Sequence, residues 1–184
     1  MIQSTPNPNA LKFVVNVPVR TEGNVTYKNA EGCIHNHLAK AIFEVSPNIK
    51  EVYFFDNYIT VTQDGNEDWD NLEGKIRAVI LEKIKDHDPN FKVEEVKKET
   101  PAAVSDNPEI LKINTILDQT IRPALQMDGG DLQIVNYQGN ILSVFYQGAC
   151  GSCPSSSAGT LRAIENILKD EFNPEIIVEL AEAL

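Results

Sequence analysis

Cysteine is scarce in this chain: three occur among 184 residues, beside three histidines and one tryptophan. So small and odd a count excludes the disulfide framework of a small secreted domain. Positive charge is also short, with 16 Lys and Arg against 27 Asp and Glu and a net charge of −11. No basic stripe is available to release counterions from phosphate, so no nucleic-acid partner is expected. Apolar runs stop well short of the ~20 residues that cross a bilayer as a helix, and no membrane partner is expected. The opening MIQSTPNPNALKF has neither a charged leader before an apolar stretch nor an Arg-rich transit pattern. The expected location is the cytoplasm of a bacterium, or an organelle matrix if a presequence has been removed. Phosphate-cradling glycine motifs and a plausible Ser/His/Asp set are missing too, so the chain is not expected to be an enzyme.

The rest of the composition is ordinary for a globular protein, 42% apolar and 23% charged. The length exceeds the ~100–150 residues of a typical domain without reaching two full-sized ones. Two small domains are expected, with a single domain as the alternative. The boundary falls at Lys92–Asn107, KVEEVKKETPAAVSDN, which lacks apolar periodicity and suits an exposed connector. That places a first domain at residues 1–91, a linker at 92–107 and a second domain at 108–184.

In the first domain, Leu11–Val17 reads as a strand ended by Pro18. The pattern around Gly23–Gly32 is weak. His37–Val45 sets Leu38, Ala41, Ile42 and Val45 on one helical face. Glu51–Phe55 and Tyr58–Thr62 flank Asp56-Asn57 as a hairpin, and Asp70–Lys85 has helical spacing. In the second domain, Asn107 caps a helix with Pro108 at its first position and Glu109 in its first turn. Its stripe is Ile110, Ile113, Leu117, Ile121 and Leu125, and Pro123 disturbs it near the end. Asp128-Gly129-Gly130-Asp131 turns into a strand at Leu132–Tyr137, and Gln138-Gly139-Asn140 reverses it into Ile141–Gln147. A helix at Ser156–Glu171 and a strand at Ile176–Leu180 complete an α-β-β-α-β order. The expected fold class is α+β in two small domains.

Chemistry concentrates in Gly148-Ala149-Cys150-Gly151-Ser152-Cys153-Pro154. The C-x-x-C spacing lets both sulfurs converge on one metal, and Gly151 permits unusual dihedrals between them. Cys153 just before a helix is expected to sit in a field that favours thiolate, with Pro154 at the first helical position and nearby serines capping or donating to sulfur. Structural zinc and cubane iron–sulfur clusters want about four protein ligands, and this domain offers two cysteines and no histidine. Either the pair acts alone as a dithiol, or two chains pool their pairs about a two-fold axis.

The segment from Ile116 to Leu180, through IRPALQ, MDGGDLQIV and GACGSCPSSSAGTLRAIENILK, resembles the NifU-like (Nfu) iron–sulfur scaffold domain. TPNPNALKFVVN, LAKAIFEVSPNIKEVYFFDNYITVT and DWDNLEGKIRAVI resemble the Nfu-type N-terminal domain that accompanies it. The resemblance implies a homodimer that assembles a labile [4Fe-4S] cluster between subunits and passes it to apo-proteins. It makes Cys150 and Cys153 the ligands. It also implies an upstream cluster scaffold and apo iron–sulfur clients as partners, with the first domain as a recognition or positioning module. A [2Fe-2S] cluster or zinc is the alternative cargo of isolated protein.

A thioredoxin-like dithiol oxidoreductase is the rival of another class, but such enzymes place C-x-x-C after the first strand of a βαβ unit, usually near the N-terminus, whereas here it lies late in an α-β-β-α-β order with no aromatic beside it. Inter-subunit zinc uses the same donors. Cys33-Ile34-His35-Asn36-His37 suggests a second metal site, and a solvated start of a helix is the plainer reading. Asp128 and Asp131 read as turn residues rather than as paired carboxylates.

Overall fold

The computed structural model describes residues 1–92, 107–153 and 157–181. The expected linker, but for its two ends, and the expected roles of Pro154, Ser155 and Ser156 lie outside them. The chain divides into two compact units, residues 1–94 and 95–184, each with its own apolar core. The architecture is the expected mixture of helix and sheet.

The first unit runs β1 (Ile2–Ser4), β2 (Ala10–Val14), β3 (Asn24–Tyr27), α1 (His37–Phe43), β4 (Ile49–Phe55), β5 (Tyr58–Gln63) and α2 (Trp69–Lys83). Its antiparallel sheet has the order β1-β2-β5-β4-β3. Cross-strand pairs Leu11–Val61, Phe13–Ile59, Val52–Val61 and Val25–Phe54 put one face into the core with α1 and α2. The Asn36 side chain caps α1 by accepting from the Ala39 amide at 3.0 Å. The hairpin turns at Asp56, whose φ of 43° suits a short polar residue.

Three expectations change here. The first strand stops at Val14, three residues early, because Val15 and the backbone of Val19 and Arg20 bond to the turn carbonyls of Asn57 and Asp56 instead. β1 and β3 were not expected; both are short edge strands specified by their neighbours. α1 buries Leu38, Ala39, Ile42 and Phe43 rather than Ala41, and it ends at Phe43, so Val45 packs against the core from beyond the helix.

The second unit runs α3 (Pro108–Thr120), α4 (Arg122–Met127), β6 (Gly130–Gln138), β7 (Ile141–Gly148), α5 (Ser157–Glu171) and β8 (Ile177–Leu180). Asn107 Oδ1 accepts from the Glu109 amide at 2.9 Å, so cap, Pro108 and helix start fall as the pattern requires. The expected single helix is two. Pro123 has no amide hydrogen and its ring crowds the carbonyl four residues back, so the chain breaks at Ile121 and restarts with Pro123 in the first turn of α4. The sheet order is β6-β7-β8, with β6 and β7 antiparallel and β7 and β8 parallel across α5. Ile110, Ile113, Ile116 and Leu117 of α3 meet Ile164 and Leu168 of α5 and the inner residues of the sheet.

Candidate metal-thiolate site

The β6–β7 hairpin has two ends. Gly139-Asn140 closes one, and the other holds the cysteine loop. β6 begins at Gly130, paired with Gly148 at the end of β7, so the expected four-residue turn is shorter than Asp128–Asp131. Gly148 takes φ 63° and Gly129 φ 83°, both in the region that favours glycine. The Ala149 amide donates to the Gly129 carbonyl at 3.2 Å, and the Gly151 amide to the Gly148 carbonyl at 3.0 Å. A side chain at Gly151 would meet the Tyr146 carbonyl oxygen at 3.1 Å, so the loop folds tightly over the end of its own strand.

Neither Cys150 nor Cys153 is in a disulfide, and each is 7% exposed. Burial pushes the Cys150 thiol up to about 12, and Asp128, Cys153 and Asp131 push it the same way. The thiolate-favouring field is expected at Cys153; at Cys150, burial first and the nearby charges after it favour the thiol. Tyr146, buried beside Cys150, is also raised to about 12, chiefly by burial.

Asp131 is not a turn residue. It is a buried strand residue that accepts from the Leu132 amide at 2.7 Å and from Gln126 Nε2 at 3.3 Å. Arg122 Nε lies 3.4 Å from it, and the same guanidinium donates to Asn114 Oδ1 at 2.8 Å and to Asp118. Burial still holds the Asp131 carboxyl above the usual range. Arg122 thereby ties α3 and α4 to the first residues of β6. Sequence reasoning missed it, although its place four residues after Asp118 is a legible helix pairing.

Cys33 is fully buried in the core of the first unit, its Sγ 3.2 Å from the Asn29 carbonyl oxygen. That corrects the solvated reading for this residue, while His35 and His37 stand exposed. No group of three or more His, Cys, Asp or Glu side chains able to hold a metal occurs among the described residues. No helix there is long and apolar enough to cross a membrane.

The first unit and the cysteine-bearing unit each match a known domain family. Residues 1–87 match the family model for the scaffold protein Nfu/NifU N-terminal domain, and residues 113–179 match the NifU-like domain. The chain therefore carries an Nfu/NifU N-terminal-type domain followed by a NifU-like domain. It is 33% identical over 170 residues to NifU-like protein 4, mitochondrial, of Arabidopsis thaliana, covering 90% of this chain and 60% of the relative. It is 31% identical over 175 residues to the NFU1 iron-sulfur cluster scaffold homolog, mitochondrial, of Drosophila grimshawi, covering 95% and 58%. The chain thus spans about three-fifths of the length of these relatives. A solution structure of a NifU-like protein from Saccharomyces cerevisiae aligns at 23% identity and TM-score 0.45, covering 52% of this chain and 84% of that one.

Proposed function

We propose that the protein is an iron–sulfur cluster carrier, in which Cys150 and Cys153 from each of two subunits hold a [4Fe-4S] cluster as cargo and surrender it to apo-proteins. The observation that carries this reading is the donor set. One chain brings two buried, unbridged thiols on a tight loop, and no third donor joins them among the described residues. A cubane needs about four protein ligands, which two copies supply. The relatives named as iron–sulfur cluster scaffolds support the same cargo.

Transfer is ligand exchange without net redox change. Each bond from iron to a carrier sulfur breaks as a bond to a client sulfur forms, and the protons lost by the client thiols are taken up by the released carrier thiolates. A dithiol oxidoreductase is supported less well, because the NifU-like match and the relatives named as iron–sulfur cluster scaffolds favour a cluster as cargo. The first domain serves as a recognition or positioning module for the donor scaffold or the client. Relatives named as mitochondrial favour an organelle matrix over a bacterial cytoplasm as its location.

The test is anaerobic reconstitution with iron and sulfide, followed by metal analysis and mass in solution. Cys150→Ser and Cys153→Ser are expected to abolish loading, and Cys33→Ser to leave it intact. A two-chain species with zinc and no sulfide would support the inter-subunit zinc reading, and catalytic disulfide reduction by a monomer would support the oxidoreductase.

A further inference from the structure

Gly129 and Gly148 are glycines because of their backbone, at φ 83° and 63°. Gly130 is different. It lies in β6, paired with Gly148, and its φ is not in the left-handed region. Alanine could adopt that backbone, so the requirement for glycine comes from its neighbours. A Cβ at residue 130 would lie 2.6 Å from Cys150 Sγ, 2.6 Å from the Gln147 carbonyl oxygen and 2.9 Å from the Cys150 amide nitrogen. Contacts that short do not survive in packed proteins; one side or the other must move.

The loop has little freedom to absorb the displacement. It is held by the Ala149 amide on the Gly129 carbonyl and by the Gly151 amide on the Gly148 carbonyl. Its inner side is closed by the Tyr146 carbonyl against Gly151. β6 cannot slide away either, because the buried Asp131 beside Gly130 is bound to Gln126, Arg122 and the Leu132 amide. Of the three close atoms, two are backbone and move only with the loop, whereas the sulfur belongs to a side chain and can also move by rotation about its own χ1.

We infer that Gly130 is a positioning residue for the Cys150 thiol: the space left by its missing side chain is the seat of that sulfur. The inference rests on the carrier reading and deepens it, by naming what aims one of the two ligands. A side chain at 130 turns Cys150 out of its seat before it unfolds the domain. Cys150 then no longer points where Cys153 and the partner chain need it.

The experiment compares full-length wild type, Gly130→Ala, Cys150→Ala and the double variant. In Gly130→Ala, folding by circular dichroism is retained. Cys150 in the metal-free protein is alkylated by iodoacetamide about tenfold faster or more, as its shielding is lost. Reconstituted cluster is absent, or passes to an iron chelator far faster than from wild type. The second-domain Tm falls by roughly 5–15 °C. It falls by less when the same substitution is made in Cys150→Ala, because the displaced sulfur is gone. Unchanged alkylation and loading in Gly130→Ala overturn the inference. So does an equal Tm loss in both backgrounds. If Gly130→Ala does not fold, recovery of the fold in the double variant upholds the shared space and failure to recover refutes it. Should wild type load no cluster, the carrier reading fails, while alkylation and melting still decide the role of Gly130.

Discussion

Cys33 provides the sharpest test of how burial governs thiol chemistry in the first domain. It is fully enclosed, and burial pushes its thiol up to about 12, against an ordinary value of 9.0, with Lys40 only partly offsetting the shift. Thiolate is the species that alkylates, so three units of pKa lower its population about a thousandfold at pH 8. Exclusion of the reagent from the core slows the reaction further, and what remains tracks transient opening of the domain. The assay is iodoacetamide labelling of native and urea-unfolded protein between pH 7 and 10, read by peptide mass spectrometry. Native Cys33 should react at least about a thousandfold more slowly than unfolded Cys33 at pH 8. The same shift has a consequence for stability. The folded pKa lies above the unfolded one, so the folded state holds the extra proton. Its contribution is fully present below about pH 9 and is lost as pH rises from about 9 toward 12. A native labelling rate within tenfold of the unfolded rate would refute the burial argument for this residue.

Arg122→Ala leaves Asp131 buried without its guanidinium and should destabilise the second domain by about 3–5 kcal/mol, measured by urea denaturation. Asn107→Ala removes the side-chain cap of α3 and should cost about 1 kcal/mol in the same measurement. Glu67 accepts from Ser46 at 2.6 Å and from Asn48 at 3.1 Å, and these bonds, Ser46 first, hold its carboxyl below the usual range. Its contribution to the first domain is therefore present above the ordinary glutamate pKa and is lost as pH falls through the lowered value. Acid titration of Glu67→Gln, followed by melting temperature, should show a weaker loss at low pH than wild type.

What could be read in the sequence was mostly what local chemistry decides. Asn107-Pro108-Glu109 sets a helix start by capping and ring geometry alone, and Asp56-Asn57 and Gly139-Asn140 set turns by their tolerance of unusual dihedrals. The cysteine pair was legible as a thiol site from spacing and flanking glycines. β1 and β3 were not legible, because each is a few residues long and owes its form to the strand beside it. Asp131 read as a turn residue because two glycines precede it. Its burial is met by the Leu132 amide and by the tertiary neighbours Gln126 and Arg122, which the local sequence does not reveal. The thiol state of Cys150 was hidden for the same reason: desolvation depends on what packs around the loop, which spacing does not reveal. The space contested by Gly130 and Cys150 belongs to strand pairing, not to either segment alone.

The proposed sharing of one cluster by two chains is tested most directly by native mass spectrometry of anaerobically reconstituted protein, with iron and sulfide assayed on the same sample. The account predicts a dimer carrying four irons and four sulfides, which disappears when Cys150 or Cys153 is replaced by serine. A single chain holding a complete cluster, or a loaded dimer of the Cys150→Ser/Cys153→Ser variant, would contradict it.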